Sequence, residues 1–156
     1  VGSKTWALAT LENQEPRKIL GDFLTLTLVK NSGAAFSFAT GGAVLLASFS
    51  ILVIATIGYW ARRLTSLPWV YVCGLVLGGS LGNLSDRIFR SSPESGPFQG
   101  QVIDWIELPH WPIFNLADSA IVIAAVLSAI LSIRNISPIS PSLHDHRRRK
   151  DGPYGT

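Results

Sequence analysis

Charge is what this sequence has least of. Only 15% of its 156 residues are Asp, Glu, Lys or Arg, against roughly 25% in an average soluble domain. A disordered chain needs high charge and low hydrophobicity. Here 47% of residues are hydrophobic and the mean hydropathy is +0.33, so disorder as a whole-chain class is excluded. A single cysteine excludes a disulfide scaffold. Methionine is absent, even at position 1. The length is that of one domain. What remains open is a greasy soluble protein or a membrane protein, and the placement of the few charges decides between them.

The charges avoid three long runs. Gly41 to Trp60 and Leu67 to Ser85 carry none, and Trp111 to Ile133 carries only Asp118, near its start. At about 1.5 Å of rise per residue the first run spans about 30 Å as a helix, the thickness of a bilayer core. Uncharged runs of about 18 residues or more are the mark of membrane spans, whereas buried helices of a soluble bundle are shorter. None of the runs lies at the N-terminus, so none reads as a signal peptide. Within the second run Gly74, Gly78 and Gly82 recur every fourth residue, a stripe that lets a neighbouring membrane helix come close. Cys73 beside it reads as a small buried hydrophobe.

Arg62 and Arg63 follow the first span; Arg134 and the run Arg147 to Lys150 follow the third. Three spans place these two regions on one side, which the positive-inside rule assigns to the cytoplasm. Residues 134–156 read as a disordered basic cytoplasmic tail touching anionic lipid, residues 41–133 as the transmembrane catalytic domain, and residues 1–40 as an N-terminal extracytoplasmic segment with a strand. The strand pattern lies in Asp22 to Lys30, where Leu and Thr alternate, and a second in Gln101 to Leu108. Together they predict a small sheet on the side opposite Arg62 and Arg63. Trp105, Trp111 and Phe114 fit an interfacial aromatic belt. The expected fold class is therefore a mainly α membrane protein, a transmembrane helix bundle with a small extracytoplasmic β-sheet.

The polar groups near the spans carry the chemistry. Asp118 lies about one turn inside the third span, and intramembrane carboxylates are functional candidates by default. Asn115 and Asp118 also resemble a helix start, with Asn115 as N-cap and Asp118 complementing the dipole. Asp104 is either a solvated strand-edge acid or the partner of Asp118 across a short loop holding Pro109 and Pro112. Two neighbouring carboxylates cannot both ionise cheaply and share a proton, so one serves as base toward water and the other as acid toward a carbonyl oxygen. Asn83, Asp86 and Arg87 share a helical face; Asp86 and Arg87 either close the helix as an ion pair, or Arg87 and Asn83 orient polar groups near the carboxylates. HExxH and GxSxG patterns are absent. A Ser37–Lys30 pair, a metal set of Asp104, His110 and Asp118, and a metal pair of His144 and His146 all lack supporting spacing. Two non-peptidase readings stand beside the dyad. One is a small transporter or channel subunit using Asp118 as an ion or proton site; the other is a scaffold assembling through the glycine stripe.

Four segments in order, KNSGAAFSF at Lys30, GGSLGNLSDR at Gly78, VIDWI at Val102 and FNLADSAI at Phe114, resemble the lipoprotein signal peptidases, or type II signal peptidases. The resemblance covers roughly residues 20 to 133. It implies a bacterial plasma-membrane aspartic endopeptidase that removes the signal peptide from diacylglyceryl-modified prolipoproteins, on the N-terminal side of the lipobox cysteine. It implies Asp104 and Asp118 as the catalytic dyad, with Asn31, Asn83, Asp86, Arg87, Asn115 and Ala117 around it. It implies no metal or organic cofactor, an active site at the extracytoplasmic interface, and prolipoprotein and membrane lipids as partners. The apolar faces of Phe23 to Val29 and Val102 to Trp105 are expected to line the approach of the substrate's acyl chains. The family has four membrane helices where this chain shows three. Ser3 and Lys4 match the end of the signature on the family's first helix, and the missing Met fits a start further upstream, so an upstream segment is expected to restore a spanning helix.

Overall fold

The computed structural model describes residues 1–33, 42–92 and 95–139. Ser37, His144, His146, the Arg147 to Lys150 run and most of the proposed tail lie outside the described residues. The elements are α1 (Gly2–Leu11), β1 (Arg17–Leu20), β2 (Leu24–Asn31), α2 (Gly42–Ala61), α3 (Leu67–Phe89), β3 (Val102–Glu107) and α4 (Leu116–Ile133).

Three of these helices, α2, α3 and α4, are long and apolar enough to cross a membrane. Their surfaces are inverted relative to a water-soluble bundle. Only 11% of the most apolar window of α2 and of α4 is buried, so Leu45, Phe49, Leu52, Val122 and Ile123 face outward. That is stable only against hydrocarbon. The three run up, down and up. The start of α2 and the ends of α3 and α4 nearest the sheet meet there: a side chain at Gly33 would touch Ala43 and Leu46 of α2 and Arg87 of α3. At the far end the turn between α2 and α3 is fastened to the chain leaving α4, through Thr65 N–H to Pro138 O and Trp69 Nε1–H to Ile136 O.

The second span is longer than the sequence reading placed it. It continues through Asp86 and Arg87 to Phe89, whereas α4 begins only at Leu116, five residues after Trp111. The helix contact also differs from the predicted stripe. A methyl added at Gly74 or Gly78 meets nothing, because both face outward, while one at Gly79 would sit 2.5 Å from Ala117 O and one at Gly82 would sit 3.3 Å from Ala117 Cβ. The close approach of α3 and α4 therefore rests on Gly79, Gly82 and Ala117.

The sheet is antiparallel in the order β1–β2–β3. Register pairs Val29 with Asp104 and Asn31 with Val102. Strand alternation sends Ile103 and Trp105 to one face and Asp104 to the other. The greasy face is filled from within the chain: Leu26, Leu28, Ile103 and Trp105 pack on Ala7 and Leu11 of α1, and Trp6 stacks edge-on against Trp105 at 5.3 Å. Four of the residues expected to line an acyl-chain approach are thus used to seat α1, and Trp105 belongs to that packing instead of an outward belt. Ser3 and Lys4, expected to end a first helix, lie inside α1, which continues to Leu11, and the edge strand β1 carried no sequence expectation of its own.

Candidate active site

Asn115 is the hinge between structure and chemistry. It is the N-cap of α4, and its Oδ1 accepts from the backbone N–H groups of Ala117 (2.7 Å) and Asp118 (3.3 Å). Asp118 returns the bond, its Oδ2 accepting from Asn115 N–H at 3.1 Å, which completes a capping box. Because Oδ1 is committed to donors, Nδ2 of the same amide must point the other way. It reaches Asp104 Oδ1 at 2.6 Å and Asn83 Oδ1 at 3.2 Å.

The other two amides are oriented by the same logic. Asn31 Oδ1 accepts from Gly33 N–H (2.8 Å), so its Nδ2 donates to Asp104 Oδ2 (2.9 Å). Asn83 Oδ1 accepts from Lys4 Nζ (2.8 Å) and from Asn115, so its Nδ2 donates to Asp118 Oδ1 (2.7 Å). Each of the four carboxylate oxygens of Asp104 and Asp118 therefore accepts one neutral N–H. Each keeps a further lone-pair site for a water or a substrate. Asp104 is buried, Asp118 half-buried, so Asp118 marks the open side.

Burial pushes the Asp104 carboxyl above the usual carboxylate range. The amides of Asn115 and Asn31 pull against that shift, the nearby Asp118 charge adds to it, and the more distant Lys4 charge opposes it. Asp104 is thus poised to hold a proton that an exposed aspartate would lose.

Beside this lies a second buried cluster. Asp86 Oδ2 accepts from Lys4 Nζ (2.7 Å) and Ile103 N–H (3.0 Å), and its Oδ1 accepts from Arg90 Nε (2.7 Å). Lys4 uses its third donor on Gly82 O at 3.3 Å. The ion pair expected between Asp86 and Arg87 is not the one formed: neighbours in a helix point apart, whereas Arg90 at i+4 lies on the same face. Arg87 is buried and donates through Nη1 to Gly100 O (3.2 Å), pinning the loop before β3. Its charge is within electrostatic reach of Asp104 and Asp86.

Of the residues singled out from sequence, Asp104, Asp118, Asn31, Asn83 and Asn115 form one bonded network. Asp86 joins through Lys4, Ala117 contributes its N–H and a small side chain, and Arg87 stands behind the loop. Lys4 was singled out only as the end of the first-helix signature, and its place in this network was not anticipated. His110 lines a different cavity, with Asp22, Thr25, Glu107 and Trp111, apart from the metal set once considered for it.

Fold and site together define a polytopic membrane protein with a pair of amide-held carboxylates at one end of its spans. The chain belongs to the signal peptidase II family (SPase II), whose family model matches residues 1–134. It is 46% identical over 138 residues to a protein named lipoprotein signal peptidase from Streptomyces coelicolor, covering 88% of this chain and 66% of that one. A protein of the same name from Mycobacterium tuberculosis is 44% identical over 131 residues, covering 84% and 63%. The chain spans about two thirds of the length of these relatives. A bacterial membrane enzyme solved by the in meso method at 1.9 Å matches with a TM-score of 0.71 and 25% identity, over 83% of this chain and 81% of that one. The protein is a bacterial membrane protein with three apolar spans among the described residues.

Proposed function

We propose that this protein is an aspartic endopeptidase that cleaves the signal peptide from diacylglyceryl-modified prolipoproteins, N-terminal to the lipidated cysteine, at the extracytoplasmic edge of the plasma membrane. The observation that carries the reading is the bonding of Asp104 and Asp118. Two acids brought together by shared amides, with no cation among the described residues bonded directly to either, can divide the labour of hydrolysis. Burial favours the protonated form of Asp104, so Asp104 is the acid and Asp118 the base.

In that assignment Asp118 takes a proton from a water, whose oxygen bonds to the scissile carbonyl carbon. Asp104 gives its proton to the carbonyl oxygen, and a neutral gem-diol forms. Its collapse breaks the C–N bond, the proton on Asp118 passes to the leaving amine, and a hydroxyl proton of the gem-diol returns to Asp104. No step requires a metal or an organic cofactor. The position at the end of the spans suits a scissile bond at the border of a signal helix held in lipid.

The test is a mobility-shift assay of prolipoprotein processing in membranes, with Asp104→Asn and Asp118→Asn made separately and folding checked by thermal transition. Each variant is expected to lose about 10²- to 10⁴-fold in rate. Processing at the parent rate in either one ends the dyad assignment.

A further inference from the structure

The β1–β2 hairpin is exposed where a small sheet is normally protected. All four residues of β1 are exposed, and β1 pairs with β2 alone among the described strands. Bare edges of this kind are usually charged, shortened or covered. Here the tip is apolar instead: Ile19 is 52% exposed, Leu20 60% and Phe23 64%, around a turn at Gly21 with φ +55°. Beside them Lys18 pairs with Asp22. Trp111, 61% exposed, lines one cavity of about 260 Å³ with Asp22 of the same tip.

What covers this tip is set by tethering. Trp111 is five residues from Leu116, where α4 begins, and five residues of extended chain reach at most about 18 Å. Leu116 is itself exposed and apolar, the first residue of an outward-facing span. The apolar tip is therefore tethered within that reach of the level at which a span leaves the hydrocarbon, and Trp at that level is an interface residue.

We infer that Ile19, Leu20 and Phe23, with Trp111, form an interfacial anchor that dips into the lipid leaflet from which α4 departs. The anchor fixes the depth of the sheet, and with it Asp104, which β2 holds through the Val29–Asp104 register. This does not depend on the peptidase reading, since only the membrane spans are needed.

The test uses the full chain in lipid nanodiscs, in a Cys73→Ala background. A bimane label is placed on Phe23→Cys, on Leu20→Cys or, as the control, on Gln14→Cys at the other end of the hairpin stem. Phosphatidylcholine brominated on its acyl chains replaces ordinary phosphatidylcholine. Emission at positions 20 and 23 is expected to fall at least about twofold with the brominated lipid, in line with shallow interfacial burial, and to change little at 14. Quenching at 20 and 23 no greater than at 14 overturns the anchor. So does label shielding in detergent that grows with protein concentration, which assigns the patch to a second copy of the chain.

Discussion

Asp86 and Asp104 are both buried at the sheet end of the molecule, yet they are held in opposite ways. Asp86 lies between two cations, Lys4 and Arg90, with a backbone N–H besides. Asp104 lies between two neutral amides, Asn31 and Asn115. A carboxylate clamped by bonded cations stays ionised and serves as a strut, here tying α1, α3 and β3 together. A carboxylate held by amides is oriented without being committed to a charge, so its proton remains exchangeable. One region of the network is built to keep still; the other, in the proposed function, is built to react.

The comparison is broken most severely by giving Asp104 the environment of Asp86. Asn31→Lys places a cation against Asp104 and holds it ionised. Processing is expected to fall about 10²- to 10⁴-fold, and the alkaline limb of the pH–rate profile to move to lower pH. An unchanged limb would show that Asn31 does not control Asp104.

Next comes stability. Asp86→Asn leaves Lys4 buried without its counter-charge and is expected to cost about 3–5 kcal/mol, read as a lower thermal transition in detergent. Asp104→Asn is expected to leave the transition unchanged or higher. The sign follows from linkage. A folded-state pKa raised above the unfolded one makes a contribution that is full at low pH and lost as pH rises through the folded value. The advantage of Asp104→Asn over the parent should therefore vanish near the ordinary carboxylate range, about pH 4, and widen above it. An advantage independent of pH would contradict the protonation assigned to Asp104.

Milder is Asn31→Ala, which deletes one amide bond to a charged or proton-sharing group, a loss of about 1.5–3 kcal/mol in transition-state stabilisation. Since that amide lowers the Asp104 pKa, its removal should move the alkaline limb upward, opposite to Asn31→Lys. The smallest effect tests packing. Gly79→Ala is expected to destabilise by about 1–3 kcal/mol, whereas Gly78→Ala stays within about 0.5 kcal/mol of the parent. Equal effects would move the α3–α4 contact back to the every-fourth-residue stripe.

The spans were legible because hydrocarbon demands long uncharged stretches, and the start of α4 because Asn115 and Asp118 show capping spacing. The two strands were legible through alternation, and the amides around Asp104 and Asp118 through family resemblance. Lys4 was legible only as part of the first-helix signature and not as a member of this network, since its partners are 78 to 82 residues away and nothing local announces them. The glycine stripe misled for a related reason: periodicity defines a helix face but not which face has a neighbour. The greasy faces of β2 and β3 were legible as apolar and illegible as to occupant, which proved to be α1.

Asn115 carries one last consequence. A single amide both starts α4 and grips Asp104, so the reactive geometry and the threading of the helix are one event. A slip of α4 by one residue rotates it about 100° and withdraws both bonds at once. With the proposed dyad, the molecule thus contains its own safety catch: a chain inserted in the wrong frame, or only partly assembled, is also disarmed.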